Sequence, residues 1–152
     1  MAGRTRRTLT RSPAFWDTSA LVPLCVRQRI TPQVTAYYHA HEIVVWWSTP
    51  VEIASALARL KRMRQLDPAD CAQAHRLAMA LSDSWFLIRP SDALRTRAMQ
   101  LVDQYDLRAA DALQLSAALE WCEGAPRGRV FLTADQKLQA AAVLCGFSVL
   151  PI

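Results

Sequence analysis

Asp17, Glu52, Asp111 and Asp135 each stand where a strand is expected to end or a helix to begin. Asp17 closes the apolar run Ala14-Phe15-Trp16. Glu52 follows Val44-Val45-Trp46-Trp47 and opens a long helix. Asp111 lies early in a helix that begins near Leu107, and Asp135 follows Val130-Phe131-Leu132. In an open α/β sheet, ligands bind outside the carboxyl ends of the strands, so acids far apart in sequence can meet there. Gathered carboxylates repel one another unless a cation or a proton neutralises them. A set of hard oxygen ligands suits Mg²⁺ or Mn²⁺. The chemistry such a set supports is metal-assisted hydrolysis of a phosphodiester.

Each acid taken alone also has a structural explanation. A carboxylate near a helix N-terminus interacts favourably with the helix dipole. Glu52 fits the return half of a capping box, Thr49-Pro50-Val51-Glu52, and Thr133 with Gln136 fits another. The conjunction of four acids at such junctions in apolar surroundings is what favours a shared site, because an unpaired buried charge is costly. Asp67, Asp70, Asp103, Asp106, Glu120 and Glu123 read instead as caps or surface charges. Among His39, His41 and His75 only His39-x-His41 approaches ligand spacing, at a polar helix end. No local signature of a Ser/His/Asp or Cys/His nucleophile is present. Trp46-Trp47 reads as core of an apolar strand rather than as a base-stacking platform.

The elements that would position the acids alternate. Strands are expected near 14–16, 43–47, 85–88, 130–132 and 147–150, with helices between them. Thr31-Pro32 marks one helix start and Gly146 the end of the last helix. This order predicts a three-layer α/β sandwich, with a five-stranded parallel sheet covered by helices on both faces. At 152 residues and 52% hydrophobic composition, one domain over residues 13–152 has ample core material. The four glycines are too few for a GxGxxG or Walker loop. Arg4, Arg6, Arg7 and Arg11 account for most of the net charge of +5, so residues 1–12 read as a basic flexible extension and the body is nearly neutral. Cys25, Cys71, Cys122 and Cys145 have no zinc-ligand spacing and read as free thiols of a reducing cytoplasm. No apolar run approaches the roughly 18 residues of a membrane span.

Four segments together resemble the motifs of PIN-domain nucleases, in order and over nearly all of the chain after residue 13. They are Phe15-Trp16-Asp17-Thr18-Ser19-Ala20-Leu21-Val22, Thr49-Pro50-Val51-Glu52-Ile53-Ala54-Ser55-Ala56-Leu57, Leu107-Arg108-Ala109-Ala110-Asp111-Ala112-Leu113-Gln114-Leu115 and Phe131-Leu132-Thr133-Ala134-Asp135-Gln136-Lys137-Leu138. The size is similar to that of VapC-type toxins of bacterial toxin–antitoxin pairs. The resemblance implies a PIN-like sandwich, an Mg²⁺ or Mn²⁺ site and endoribonuclease activity on RNA such as tRNA or rRNA. It also implies a cognate antitoxin and a homodimer. Asp17, Asp111 and Asp135 would be metal ligands, Glu52 would complete the acidic cluster, and Thr133 falls at the family's hydroxyl position before the last acid. An aromatic pair precedes Asp17 where aliphatics are more usual in the family.

An acidic pocket repels RNA, so positive groups must flank it. Lys61, Arg62, Arg64 and Arg108 are the candidates, with Arg95 and Arg97 behind them. Two other readings stand beside this one: a non-catalytic PIN-like protein whose business is binding a partner, and a PIN nuclease acting on DNA.

Overall fold

The computed structural model describes residues 11–152; Arg4, Arg6 and Arg7 of the expected extension lie outside the described residues. Five parallel strands form one sheet in the order β3-β2-β1-β4-β5. They are β1 (Ser12–Trp16), β2 (His41–Trp46), β3 (Phe86–Ile88), β4 (Val130–Leu132) and β5 (Ser148–Val149). Helices α1 (Thr18–Cys25) and α2 (Thr31–Ala40) connect β1 to β2, and α3 (Thr49–Arg62) and α4 (Pro68–Ser82) connect β2 to β3. Helices α5 (Asp92–Tyr105) and α6 (Ala109–Trp121) lead to β4, and α7 (Gln136–Cys145) leads to β5.

Side-chain alternation along the strands divides the core in two. Ala14, Trp16, Ile43, Val45 and Leu132 face one layer, where they pack with Val34, Ile53, Leu57 and Ala74 of α2, α3 and α4. Phe15, Val44, Trp46 and Phe131 face the other, against Leu94, Leu115, Ala118 and Leu138 of α5, α6 and α7. Both faces of the central strands are therefore covered, which is why these strands read as continuous apolar runs. Phe131 stacks on Phe15 with ring centroids 5.3 Å apart, and Phe147 leans on it at 5.5 Å. These rings clamp β1 to β4, the pair of strands whose ends carry Asp17 and Asp135.

Helix boundaries follow local chemistry. Asp67 caps α4 by accepting from Asp70 N at 2.8 Å, and Ser91 caps α5 by accepting from Leu94 N at 3.1 Å. Gly146 ends α7 at φ 108°, where a Cβ would stand 3.3 Å from Pro126 Cγ. The capping box expected at Thr49 is not formed. Ser48 precedes α3, while Thr49 lies within the helix and is fully buried. Strand β1 starts earlier than expected, at Ser12, and Arg11 beside it donates to Tyr38 O and pairs with Glu42 at 3.4 Å. That anchor lies at the amino ends of β1 and β2, the sheet edge opposite the acids. The four cysteines are unpaired. Among the described residues no helix is long and apolar enough to cross a membrane.

Truncating the clamp should loosen the sheet at its centre. Phe131→Ala is expected to lower the free energy of unfolding by about 3–5 kcal/mol, read by urea titration, with no change in the order of the elements by circular dichroism. A loss under 1 kcal/mol would mean that Phe131 does not hold β1 to β4.

Candidate active site

The chain leaves β1 toward β2 and β3 on one side, then returns to place β4 and β5 on the other. The topological switch point thus lies between β1 and β4, where an open α/β sheet forms its ligand crevice. Asp17 follows β1 directly, and its N–H donates to Leu132 O at 2.9 Å. Asp135 caps α7 beyond β4, its Oδ1 accepting from Leu138 N at 2.8 Å. Glu52 comes from the first turn of α3 and Asp111 from the first turn of α6. All four acids line one cavity of about 660 Å³. The sequence-predicted acids are therefore brought together.

Asp17 is buried, and three donors converge on its Oδ2: Ser19 Oγ at 2.5 Å, Thr133 Oγ1 at 2.9 Å and Ser19 N at 3.2 Å. None of the three reaches Oδ1. Burial raises the pKa of Asp17; the bonds from Ser19 and Thr133 work against that, and the charge of Glu52 adds a smaller upward push. Thr133 is fully buried beneath the site and also accepts from Asp135 N at 3.0 Å. Ser19 Oγ accepts from Ala134 N at 2.8 Å. Ser19 and Thr133 together tie the end of β1 to the end of β4. The capping box expected between Thr133 and Gln136 is absent, because Asp135 takes the cap position.

Glu52 is held differently. Ser48 Oγ donates to its Oε1 at 2.8 Å, Thr18 Oγ1 donates to its Oε2 at 3.2 Å, and Gln114 Nε2 lies 3.2 Å from each oxygen. Gln114 is completely buried and also approaches Thr18 Oγ1 at 3.3 Å and Thr49 Oγ1 at 3.5 Å. Its amide turns NH₂ toward the carboxylate and leaves Oε1 buried without a donor. An orphaned buried acceptor costs about 1–3 kcal/mol, comparable to what a hydrogen bond to a charged group contributes. Glu52 thus sets the orientation of Gln114 and is set by it.

Asp111 has the least support. Burial, followed by the charges of Asp135 and Asp17, raises its pKa to about 6; Arg108 opposes this, Glu52 adds to it, and no hydrogen bond offsets the shift. Among the described residues no three His, Cys, Asp or Glu side chains close into a ready ligand set. The donor chemistry nevertheless fits hydrated Mg²⁺ or Mn²⁺. Mg²⁺ keeps several waters and uses one or two carboxylates, and three acids still offer oxygens: Asp17 Oδ1, Asp135 Oδ2 and the Asp111 carboxylate. A cation would also relieve the repulsion that raises Asp111.

The positive rim departs from expectation. Arg62 and Arg108 line the cavity, but Lys61 and Arg64 do not, and Arg59 does. At about 100° per residue, Arg59 lies seven positions and roughly 20° from Glu52 around α3, whereas Lys61 is about opposite. Arg64 lies past the helix end with φ 55°. Arg97 pairs with Glu120 at 3.0 Å and so joins α5 to α6, and Arg95 pairs with Asp92 at 3.0 Å. Ser19, Ser48, Thr18, Gln114 and Arg59 are the site residues that sequence reasoning passed over. The Asp-x-Ser step of an Asx turn, the lone Gln in an apolar helix and the helical phase of Arg59 were their available signals.

The folded-state pKa values of Asp17 and Asp111 both lie above those of the unfolded chain. The folded protein therefore retains protons that the unfolded chain has released, and stability falls as pH rises through the window. In EDTA the melting temperature is expected to drop between about pH 4 and about pH 6. Asp111→Asn should make that drop shallower and melt above wild type at neutral pH. A wild-type curve that is flat or rises across the window would contradict the electrostatic picture of the site.

No protein-family model and no curated protein matches the chain. Solved structures do. A toxin–antitoxin complex from Klebsiella pneumoniae matches with a TM-score of 0.59 at 22% identity, over 84% of this chain and 90% of the other. PAE2754 from Pyrobaculum aerophilum matches with a TM-score of 0.64 at 21% identity, over 91% and 89%. FitAcB from Neisseria gonorrhoeae matches with a TM-score of 0.63 at 16% identity, over 91% and 96%. At these identities the likeness is one of fold. The chain has the three-layer, PIN-like α/β sandwich that its four motifs implied.

Proposed function

We propose that this chain is a Mg²⁺- or Mn²⁺-dependent endoribonuclease of the VapC toxin type, cytoplasmic, homodimeric and restrained by a cognate antitoxin. The observation that carries the reading is the convergence of Asp17, Glu52, Asp111 and Asp135 on one cavity at the β1/β4 switch point, with Arg59, Arg62 and Arg108 on its wall. The fold shared with the Klebsiella pneumoniae toxin–antitoxin complex supports the antitoxin. RNA is the favoured substrate class on the motif resemblance.

Asp17, Asp111 and Asp135 would hold the ion, directly or through its waters, by the oxygens that their own hydrogen bonds leave open. The ion, when bound, supplies Lewis acidity and a counter-charge for the scissile phosphate. Thr133 and Ser19 keep the Asp17 carboxylate from turning, so that Oδ1 rather than Oδ2 is presented. Glu52, already bonded at both oxygens, orients an attacking water rather than the ion. Its donors Ser48, Thr18 and Gln114 carry no charge of their own. Arg59, Arg62 and Arg108 take phosphates of the strand on either side of the cut.

Purified protein freed of antitoxin is expected to cut RNA in a total tRNA or rRNA pool with Mn²⁺ or Mg²⁺, and to stop with EDTA. Asp17→Asn should abolish the cutting while keeping the wild-type fold. Cutting that survives Asp17→Asn or EDTA would sink the proposal, as would intact RNA of every class with the ion present. The rim makes a separate forecast. Arg59→Ala should weaken RNA binding and reduce its salt dependence by about one unit of slope, whereas Lys61→Ala should leave both unchanged. The reverse ranking would overturn the assignment of the rim.

A further inference from the structure

A second cavity, of about 420 Å³, opens at the carboxyl ends of β2 and β3 and is not used by the chemistry described above. Its volume lies in the range of small-molecule pockets, about 300–1,000 Å³. Trp46 and Trp47 both line it, in opposite roles. Trp46 is 5% exposed and belongs to the core, while Trp47, whose backbone N–H donates to Ile88 O at 3.0 Å, is 50% exposed. The expectation that both indoles are core therefore holds for only one of them. Leu94 and Leu113 make the remaining wall largely apolar. Arg95 lies at the rim, where its ion pair with Asp92 at 3.0 Å cancels its charge.

Two observations together specify an occupant. First, the cavity adjoins the acids: Ser48 lines it, and the Ser48 hydroxyl donates to Glu52 Oε1 at 2.8 Å. Whatever enters the cavity is thus a near neighbour of whatever lies over the acids. Second, the cavity is electrically balanced and aromatic, unlike the arginine-lined acid cavity, so it favours a flat neutral group over a phosphate. A half-exposed indole face is a stacking platform for any nucleobase.

We propose that this cavity is a nucleobase subsite: a base unstacked from the RNA strand, adjacent to the phosphodiester over the acids, stacks on Trp47. The substrate class is then single-stranded or looped RNA, because a base paired in a helix cannot turn into the cavity. The identification of the strand as RNA rests on the nuclease reading, but base stacking on Trp47 can be read without any cleavage.

The test uses the full chain in EDTA at low salt. The probes are a short fluorescein-labelled single-stranded RNA of mixed sequence and the same strand with its bases removed. Trp47→Ala is expected to weaken binding of the intact strand by about 5- to 150-fold. Trp47→Phe, which keeps an aromatic face, should retain most of the affinity. The abasic strand, which has only a backbone to offer and meets ion-free acids, should bind wild type and Trp47→Ala equally weakly. Equal binding of the intact strand by wild type and Trp47→Ala would overturn the subsite. An equal loss on the abasic strand would overturn it too, since the indole would then act on the backbone. Cleavage is scored separately. Base-dependent binding with no cleavage of any RNA would keep the subsite and remove the nuclease reading. Cleavage with no base dependence would do the opposite.

Discussion

Like-charge repulsion at the β1/β4 switch point is the constraint around which this molecule is arranged. The charges of Glu52 on Asp17 and of Asp135, Asp17 and Glu52 on Asp111 all push toward protonation. The four acids are handled in four ways. Asp17 is buried and hydrogen-bonded on one oxygen. Glu52 is enclosed by neutral donors. Asp135 is exposed and caps a helix, where its charge meets the positive end of the dipole. Asp111 has only the charge of Arg108 to help it and shifts toward the protonated form instead. The repulsion that remains is concentrated on Asp111, the acid with the most to gain from a cation.

Rigidity in the site comes from ties between layers. Ser19 and Thr133 join the ends of β1 and β4. Gln114 joins α3, which packs on one face of the sheet, to α6, which packs on the other. Because α6 also carries Asp111, one buried amide sets the spacing of two acids across the carboxyl edge of the sheet. Its unpartnered Oε1 is a local sacrifice of stability of the kind found at functional sites. The apolar clamp of Phe15, Phe131 and Phe147 lies directly beneath and holds the two central strands at fixed separation.

The acids and the strands were legible in the sequence because both follow short-range rules. Val44, Val45 and Trp46 form a continuous apolar run, and such a run ends in a polar group where the chain emerges from the sheet. The strand order β3-β2-β1-β4-β5 is not carried by periodicity, since alternation states only that a strand is buried on both faces. Lys61 and Arg64 were chosen by closeness in sequence to the end of α3. Counting helical phase from Glu52 selects Arg59 instead. Thr49 looked like a cap because Thr-Pro-x-Glu has that pattern, but tertiary packing buries Thr49 and directs Glu52 to Ser48, Thr18 and Gln114. No one-dimensional pattern distinguishes a glutamate that serves its own helix from one that serves a neighbouring helix. Trp46 and Trp47 show the same limit: the second indole leaves the core because β2 ends between them.

The charge distribution would make the acid cavity's attraction for a phosphate depend on a bound cation. The high pI resides largely in the N-terminal arginines, and the first described one, Arg11, is fastened to Glu42 and Tyr38 at the amino edge of the sheet. Among the described residues, the positive charge on the acid cavity comes from Arg59, Arg62 and Arg108. With all groups ionised, three arginines against four carboxylates leave one negative charge on its wall. In that state the cavity repels a phosphodiester. A divalent cation would reverse the sign to one positive charge, so that binding of an ion and binding of a phosphodiester strand would be favourably coupled. The neighbouring neutral cavity, with Arg95 matched by Asp92, undergoes no such reversal. On the proposed reading the two cavities would divide recognition between them: the acid cavity would sense the backbone only once the ion is in place, and the tryptophan cavity would sense a base whether or not it is.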